Sequence, residues 1–148
     1  MPDLRDVAEI AAANGHLAIV STVRADGTIQ ASLVSAGVTR HPLTGQEVLG
    51  FVAVGGVKVV NLRARPELTA TLHHGWKWIT VEGSTELAGP DDSQLGLIQS
   101  RLAGLLRTIF TDAGGTHDDW PTYDRTMARE RRTAVLVQPT RIYSNPHI

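Results

Sequence analysis

Apolar and polar positions alternate along most of this chain with a period of two, and four stretches of helical spacing interrupt the alternation. The first helical stretch is Asp3 to Asn14. Leu4, Val7, Ala8 and Ala11 recur along one face, Asp3 stands where a capping side chain belongs, and Gly15 follows the end. His16 to Val23 is rich in β-branched residues and predicts a strand. Arg24-Ala25-Asp26-Gly27 carries the Asp-Gly hairpin signal. The strand after it, Thr28 to Thr39, puts Ile29, Ala31 and Leu33 on one face and Gln30, Ser32 and Val34 on the other. A turn at His41 to Gly45 leads to a third strand, Glu47 to Val54.

Gly55-Gly56 ends that strand. Val57 to Ala64 has room for one or two helical turns before Pro66 stops it. Glu67 to His73 and Lys77 to Leu87 are two further strands joined around Gly75. Pro90-Asp91-Asp92-Ser93 reads as a helix start. It feeds an amphipathic helix in which Leu95, Ile98, Leu102, Leu105, Leu106 and Ile109 share a face up to about Phe110. After a loop at Gly114-Gly115, Trp120 to Glu130 forms a shorter helix with Pro121 in its first turn. Thr133 to Tyr143 is the last strand, and Pro139 marks an edge or a bulge in it. About six strands, mostly hairpin-connected, predict a mainly β fold with flanking helices: an antiparallel sheet or barrel. No repeat, low-complexity segment or linker divides the chain, so residues 1–148 read as a single domain.

Composition narrows the functional classes. A 148-residue chain that is 42% hydrophobic buries a core without staples, and its formal net charge of -1 argues against a dedicated nucleic-acid binder. The absence of cysteine excludes a disulfide scaffold, a thiolate metal site and a cysteine nucleophile. No apolar run approaches the roughly 20 residues of a membrane span. The first residues carry early acidic side chains and no secretory pattern, so a cytoplasmic protein is expected.

The histidines, His16, His41, His73, His74, His117 and His147, form no HxH or HExxH pattern. His73 and His74 point to opposite faces of a strand, and no metal site is predicted. There is no GxSxG elbow, P-loop or GxGxxG turn. Asp118-Asp119 reads as a helix cap rather than a catalytic pair. Two features remain. Gly55 to Arg63 joins a strand end, two glycines, a helix start and Lys58. That is either a cradle for phosphate or a plain turn with a solvated lysine. Trp76 and Trp78 share a strand face, either as packing residues or as a stacking wall for a flat ligand.

Three motifs carry a resemblance: D-G-x-x-Q-x-S-x-V from Asp26 to Val34, K-x-x-N-L-R-x-x-P from Lys58 to Pro66, and W-x-x-V-E-G from Trp78 to Gly83. In their order and spacing they resemble the flavin and deazaflavin split β-barrel proteins related to pyridoxamine 5′-phosphate oxidase. Within that group the chain is most similar to small actinobacterial reductases that use coenzyme F420. The resemblance implies a six-stranded antiparallel split β-barrel of FMN-binding type, flanked by helices. It implies a homodimer with cofactor sites in the grooves between subunits. Lys58 matches the lysine that binds the cofactor phosphate, with Asn61 on the same short helix and Gly56 in the turn before it. Gln30, Ala31 and Ser32 match the strand that meets the ring system, and Val52, Ala53 and Val54 the strand beside it. Trp76 and Trp78 would come across from the partner subunit. Two departures stand out: relatives often carry arginine where this chain has Gly56, and another basic residue where it has Val60. Arg63, Arg65, Arg129, Arg131 and Arg132 are candidates for a polyglutamate tail, or simply charges at solvated helix ends.

The implied activity is hydride transfer from reduced F420 to an unsaturated or conjugated small molecule. No protein residue is expected to act as a nucleophile, and the proton comes from solvent, from Tyr143 or from a histidine. The alternatives are an FMN-dependent enzyme of the pyridoxamine-phosphate-oxidase type, or a non-catalytic carrier of F420, a tetrapyrrole or a fatty acid.

Overall fold

The computed structural model of the chain describes residues 1–145, so His147 lies outside the described residues. Helix α1 (Leu4–Asn14) begins in a reciprocal cap. The Asp3 carboxylate accepts from the Arg5 and Asp6 N–H groups, and the Asp6 carboxylate accepts from the Asp3 N–H at 2.8 Å. Gly15, at φ 77°, ends it in the left-handed region. The buried face of α1, with Val7, Ile10 and Ala11, joins the core inside the barrel.

Strands β1 (Leu17–Val23), β2 (Ile29–Arg40), β3 (Glu47–Ala53), β4 (Glu67–His74), β5 (Lys77–Gly89) and β7 (Thr133–Ser144) are all antiparallel, in the order β4-β1-β2-β3-β7-β5. β5 pairs back onto β4 and closes the circle. The Asp-Gly turn sets the β1–β2 register, Val23 opposite Ile29 and Thr22 opposite Gln30, and the Asp26 carboxylate accepts from the Thr28 N–H at 3.0 Å. The expected split barrel is therefore present, with one short addition.

That addition corrects the sequence reading. Pro90 to Ser93 does not start a helix: Asp92 and Ser93 form a two-residue strand, β6 (Asp92–Ser93), on the end of β5. Both acids are claimed by distant arginines. Arg63 holds the buried Asp92 carboxylate through two bonds of 2.8 Å, and Arg131 pairs with Asp91. Helix α3 (Gln99–Asp112) therefore begins later, after Ile98, with no side-chain cap. Leu95 is buried but lies outside the helix.

Pro139 sits at a bulge. Gly83 pairs with Pro139 but Glu82 pairs with Arg141, so Thr140 is an extra residue on β7. A side chain at Gly83 would collide with the Gln138 carbonyl, which explains glycine there.

The interior of the barrel is packed by Phe51, Leu49, Leu72, Ile79, Val135, Val137 and their neighbours, with Leu62 and Val59 entering from α2 (Val57–Ala64). A second core lies outside the barrel wall, where Val48, Ala134 and Leu136 meet Leu102, Leu105, Leu106 and Ile109 of α3 and Tyr123 of α4 (Trp120–Arg129). β3 is thus apolar on both faces, which accounts for its unbroken hydrophobic run. The end of α3 rests on β2 at Gly37, where a Cβ would collide with the Asp112 carbonyl.

One wall has no cover among the described residues. Leu17, Ile19, Val23, Ile29 and Leu33 point outward from β1 and β2, with Ile29 68% and Leu33 62% exposed. Ile19 faces Leu33 and Val23 faces Ile29 across the ladder, so the strip is contiguous. Among the described residues no helix is long and apolar enough to cross a membrane.

Candidate functional site

The turn into α2 determines what can stand before Lys58. Gly56 is the N-cap, at φ 97° and ψ -160°, a region nearly closed to residues with a Cβ, although nothing crowds it. An arginine two residues before Lys58 has no place on this backbone. No side chain caps the helix either, so its first N–H groups stay open.

Lys58 is half-buried, and that burial pushes its ammonium below the usual lysine value. No carboxylate among the described residues pairs with it. It opens into a cavity of about 680 Å³, a size suited to a cofactor or drug-sized ligand. Val52, Ala53 and Val54 form one side, with Leu33, Val34 and Ser35 of β2 beside them. Ile109, Phe110 and Ala113 of α3 face them, together with the Gly114-Gly115 loop, Tyr123 and Met127 of α4, and Arg132. Among the described residues, no acidic side chain lines it.

Of the residues singled out from the sequence, the structure brings Val52, Ala53, Val54 and Lys58 together in this cavity. Others lie elsewhere. Asn61 is buried and donates to the Thr22 hydroxyl at 3.0 Å, and Thr22 donates to Gln30 Oε1 at 2.9 Å. That chain ties α2 to the β1–β2 hairpin. Ala31 is on the exposed face of β2, and the Ser32 hydroxyl is buried without a hydrogen-bond partner among the described residues. Trp76 is 89% exposed at the β4–β5 turn, and Trp78 stacks edge-on against Tyr143 with ring centroids 6.1 Å apart. Neither tryptophan lines the cavity of its own chain.

The arginines divide clearly. Arg63 and Arg131 are engaged with Asp92 and Asp91, and Arg65 donates to the Val23 carbonyl at 2.7 Å. Arg129 lies exposed on the last turn of α4. Arg132 alone of the five lines the cavity; its Nε donates to Glu130, which is not among the lining residues, at 2.9 Å. Tyr143 donates to Glu82 at 2.7 Å. Glu82 belongs to a smaller concavity of about 350 Å³, walled by Ser21, Thr22, Glu67, Thr69 and Ser84 and with no cation among its described lining residues.

The helical wall of that cavity was not legible as a site. Phe110 packs against Trp120 and Tyr123 at 6.2 and 5.0 Å between centroids, and Arg107 lies 5.4 Å over the Trp120 ring while pairing with Asp124. Tyr123 donates its hydroxyl to the Leu106 carbonyl at 3.1 Å, and burial pushes its phenol up to about 12. It is a fixed neutral donor. His41 is occupied in the β2–β3 turn, its Nδ1 accepting from Leu43 and Thr44 and its Nε2 bonded to Glu86 at 2.8 Å. No cluster of three metal-ligating side chains occurs among the described residues.

No protein-family model matches the chain. Solved structures do share its fold. A conserved hypothetical protein from Mycobacterium tuberculosis superposes with a TM-score of 0.67 at 16% identity, over 100% of this chain and 91% of its own. A pyridoxamine 5′-phosphate oxidase-related FMN-binding protein from Nostoc punctiforme gives 0.65 at 15% identity, over 97% and 84%. An F420 reductase gives 0.62 at 19% identity, over 97% and 98%. The chain thus has the split β-barrel, FMN-binding-like fold of these structures. The likeness covers 97–100% of this chain and 84–98% of the others.

Proposed function

We propose that the chain is an oxidoreductase that holds reduced coenzyme F420 and delivers hydride to an unsaturated or conjugated small molecule. The observation that carries this reading is a cavity that no acidic side chain among the described residues lines. A half-buried, unpaired Lys58 and an uncapped helix start stand at the end of β3, beside a wall of aliphatic side chains. A phosphate fits the first part and a flat ring the second. When bound, the deazaflavin supplies the hydride chemistry. The chain's own residues supply the rest. Lys58 Nζ and the α2 N–H groups would hold the phosphate, and Val52 to Val54 would offer an apolar wall to the ring. The α3–α4 wall of Phe110, Tyr123 and Met127 keeps water from the far side. Tyr123 Oη is committed to the Leu106 carbonyl, so the proton that completes the reduction comes from solvent.

The same proposal includes a homodimer. Leu33 belongs both to the bare β1–β2 strip and to the cavity, so a second copy seated on the strip stands at the mouth of the site. The exposed Trp76 then extends toward the partner's cavity.

The test is a titration of the protein with F420 and, in parallel, with FMN, followed by tryptophan emission. Saturable quenching by F420 at micromolar concentration, with FMN weaker, is the expected result. Lys58→Ala weakens binding by about 1–3 kcal/mol, the scale of a hydrogen bond to a charged group. Tight FMN binding without F420 moves the protein to the flavin branch. Binding of F420 with no reoxidation by any conjugated acceptor leaves a carrier, and binding of neither removes the enzyme reading.

A further inference from the structure

The cavity that Lys58 enters is lined by a second cation, Arg132. β3 and β7 pair with Ala53 opposite Thr133, so Val54 and Arg132 stand next to each other one step past the last pair. Alternation along β7 puts Arg132 on the side of Ala134 and Leu136, the face that α3 and α4 cover, rather than inside the barrel. Arg131, at φ 50°, makes the turn that brings the chain from α4 into this position. Arg132 and Lys58 therefore enter one cavity, and no acidic side chain among the described residues lines it. Outside the lining, Glu130 Oε1 accepts from Arg132 Nε at 2.9 Å and forms an ion pair with Nη2 at 2.8 Å. Guanidinium N–H groups remain free for a second acceptor.

We infer that Arg132 is the second cation of the phosphate cradle, supplied from the start of β7 because Gly56 cannot carry one from the turn before α2. Glu130 is its resting counter-ion and competes with the incoming anion. This rests on the cofactor reading only for the identity of the ligand. The cradle itself is a claim about a phosphate group, whether on a flavin-type cofactor or free in solution.

The experiment compares ligands with and without phosphate. FMN, riboflavin, F420 and inorganic pyrophosphate are titrated calorimetrically into the wild type, Arg132→Gln, Arg132→Lys and Glu130→Gln. Arg132→Gln is expected to lose about tenfold or more for each phosphate-bearing ligand that the wild type binds, with riboflavin changed by less than about twofold. Arg132→Lys recovers part of the loss. Glu130→Gln, which removes the competing carboxylate, tightens phosphate-bearing ligands several-fold. Equal losses for FMN and riboflavin, or weaker phosphate binding in Glu130→Gln, overturn the inference. If F420 and FMN both fail to bind, the cofactor reading falls, and pyrophosphate decides the cradle alone. Arg132-dependent pyrophosphate binding upholds it, and no pyrophosphate binding overturns it.

Discussion

Tyr123 lies on the wall of the large cavity, but its hydroxyl is turned to the Leu106 carbonyl of the neighbouring helix. Its phenol, pushed up to about 12 from an ordinary value of 10.0, keeps its proton where the unfolded chain has released it. The stabilisation is therefore complete below pH 10 and is lost as pH rises through about 12. Tyr123→Phe should cost about 1 kcal/mol near neutrality through the lost bond. It should also flatten the alkaline fall in stability, measured by urea unfolding across that range. An unchanged alkaline slope would place the effect elsewhere. Tyr143, whose phenol is raised by its bond to Glu82, keeps some slope in the variant. At this scale the sequence was informative where chemistry and neighbourhood coincide. Lys58 and Val52 to Val54 are close in the chain and close in space. Tyr123 and Arg132 reach the same cavity only through the packing of α3 and α4, and neither carries a local signal of that.

Helix α2 is held by side chains as much as by its own backbone. It is short, it begins at an uncapped glycine, and its buried Asn61 bonds to Thr22 on β1. Asn61→Ala removes the donor to a fully buried hydroxyl and should destabilise the fold by about 1–3 kcal/mol. Because the same helix carries Lys58, affinity for phosphate-bearing ligands should fall as well, while riboflavin binding is spared. Denaturant unfolding and the titration series check both, and a stability loss without an affinity loss would separate the tether from the site. Strands were the elements most readable from alternation, and the Asp26-Gly27 turn and the irregularity at Pro139 were both visible in the sequence. The start of α3 was not. Asp91 and Asp92 look like helix-capping residues until Arg131 and Arg63, remote in the chain, are seen to hold them. A cap and an ion pair use the same residue type, and only tertiary structure tells them apart.

For the molecule as a whole, the bare strip on β1 and β2 is the feature that most needs a partner. Sedimentation velocity should find a dimer, and Ile29→Lys, a change on the strip opposite Val23 and outside the lining of the large cavity, should give monomers with weakened cofactor binding. A wild type that sediments as a monomer at tens of micromolar would remove the dimer and the role given to Trp76 together. The register of the barrel adds a condition on any such assembly. β2 meets β3 only from Ala36 onward and β7 meets β3 only up to Val137, so among the described residues Ile29 to Ser35 has a strand partner on the β1 side alone. That stretch is a row of backbone donors and acceptors open to a passing strand. The strip that a second copy would cover lies on the same stretch of β2, so pairing of two copies would also shield the edge on which a further chain could add.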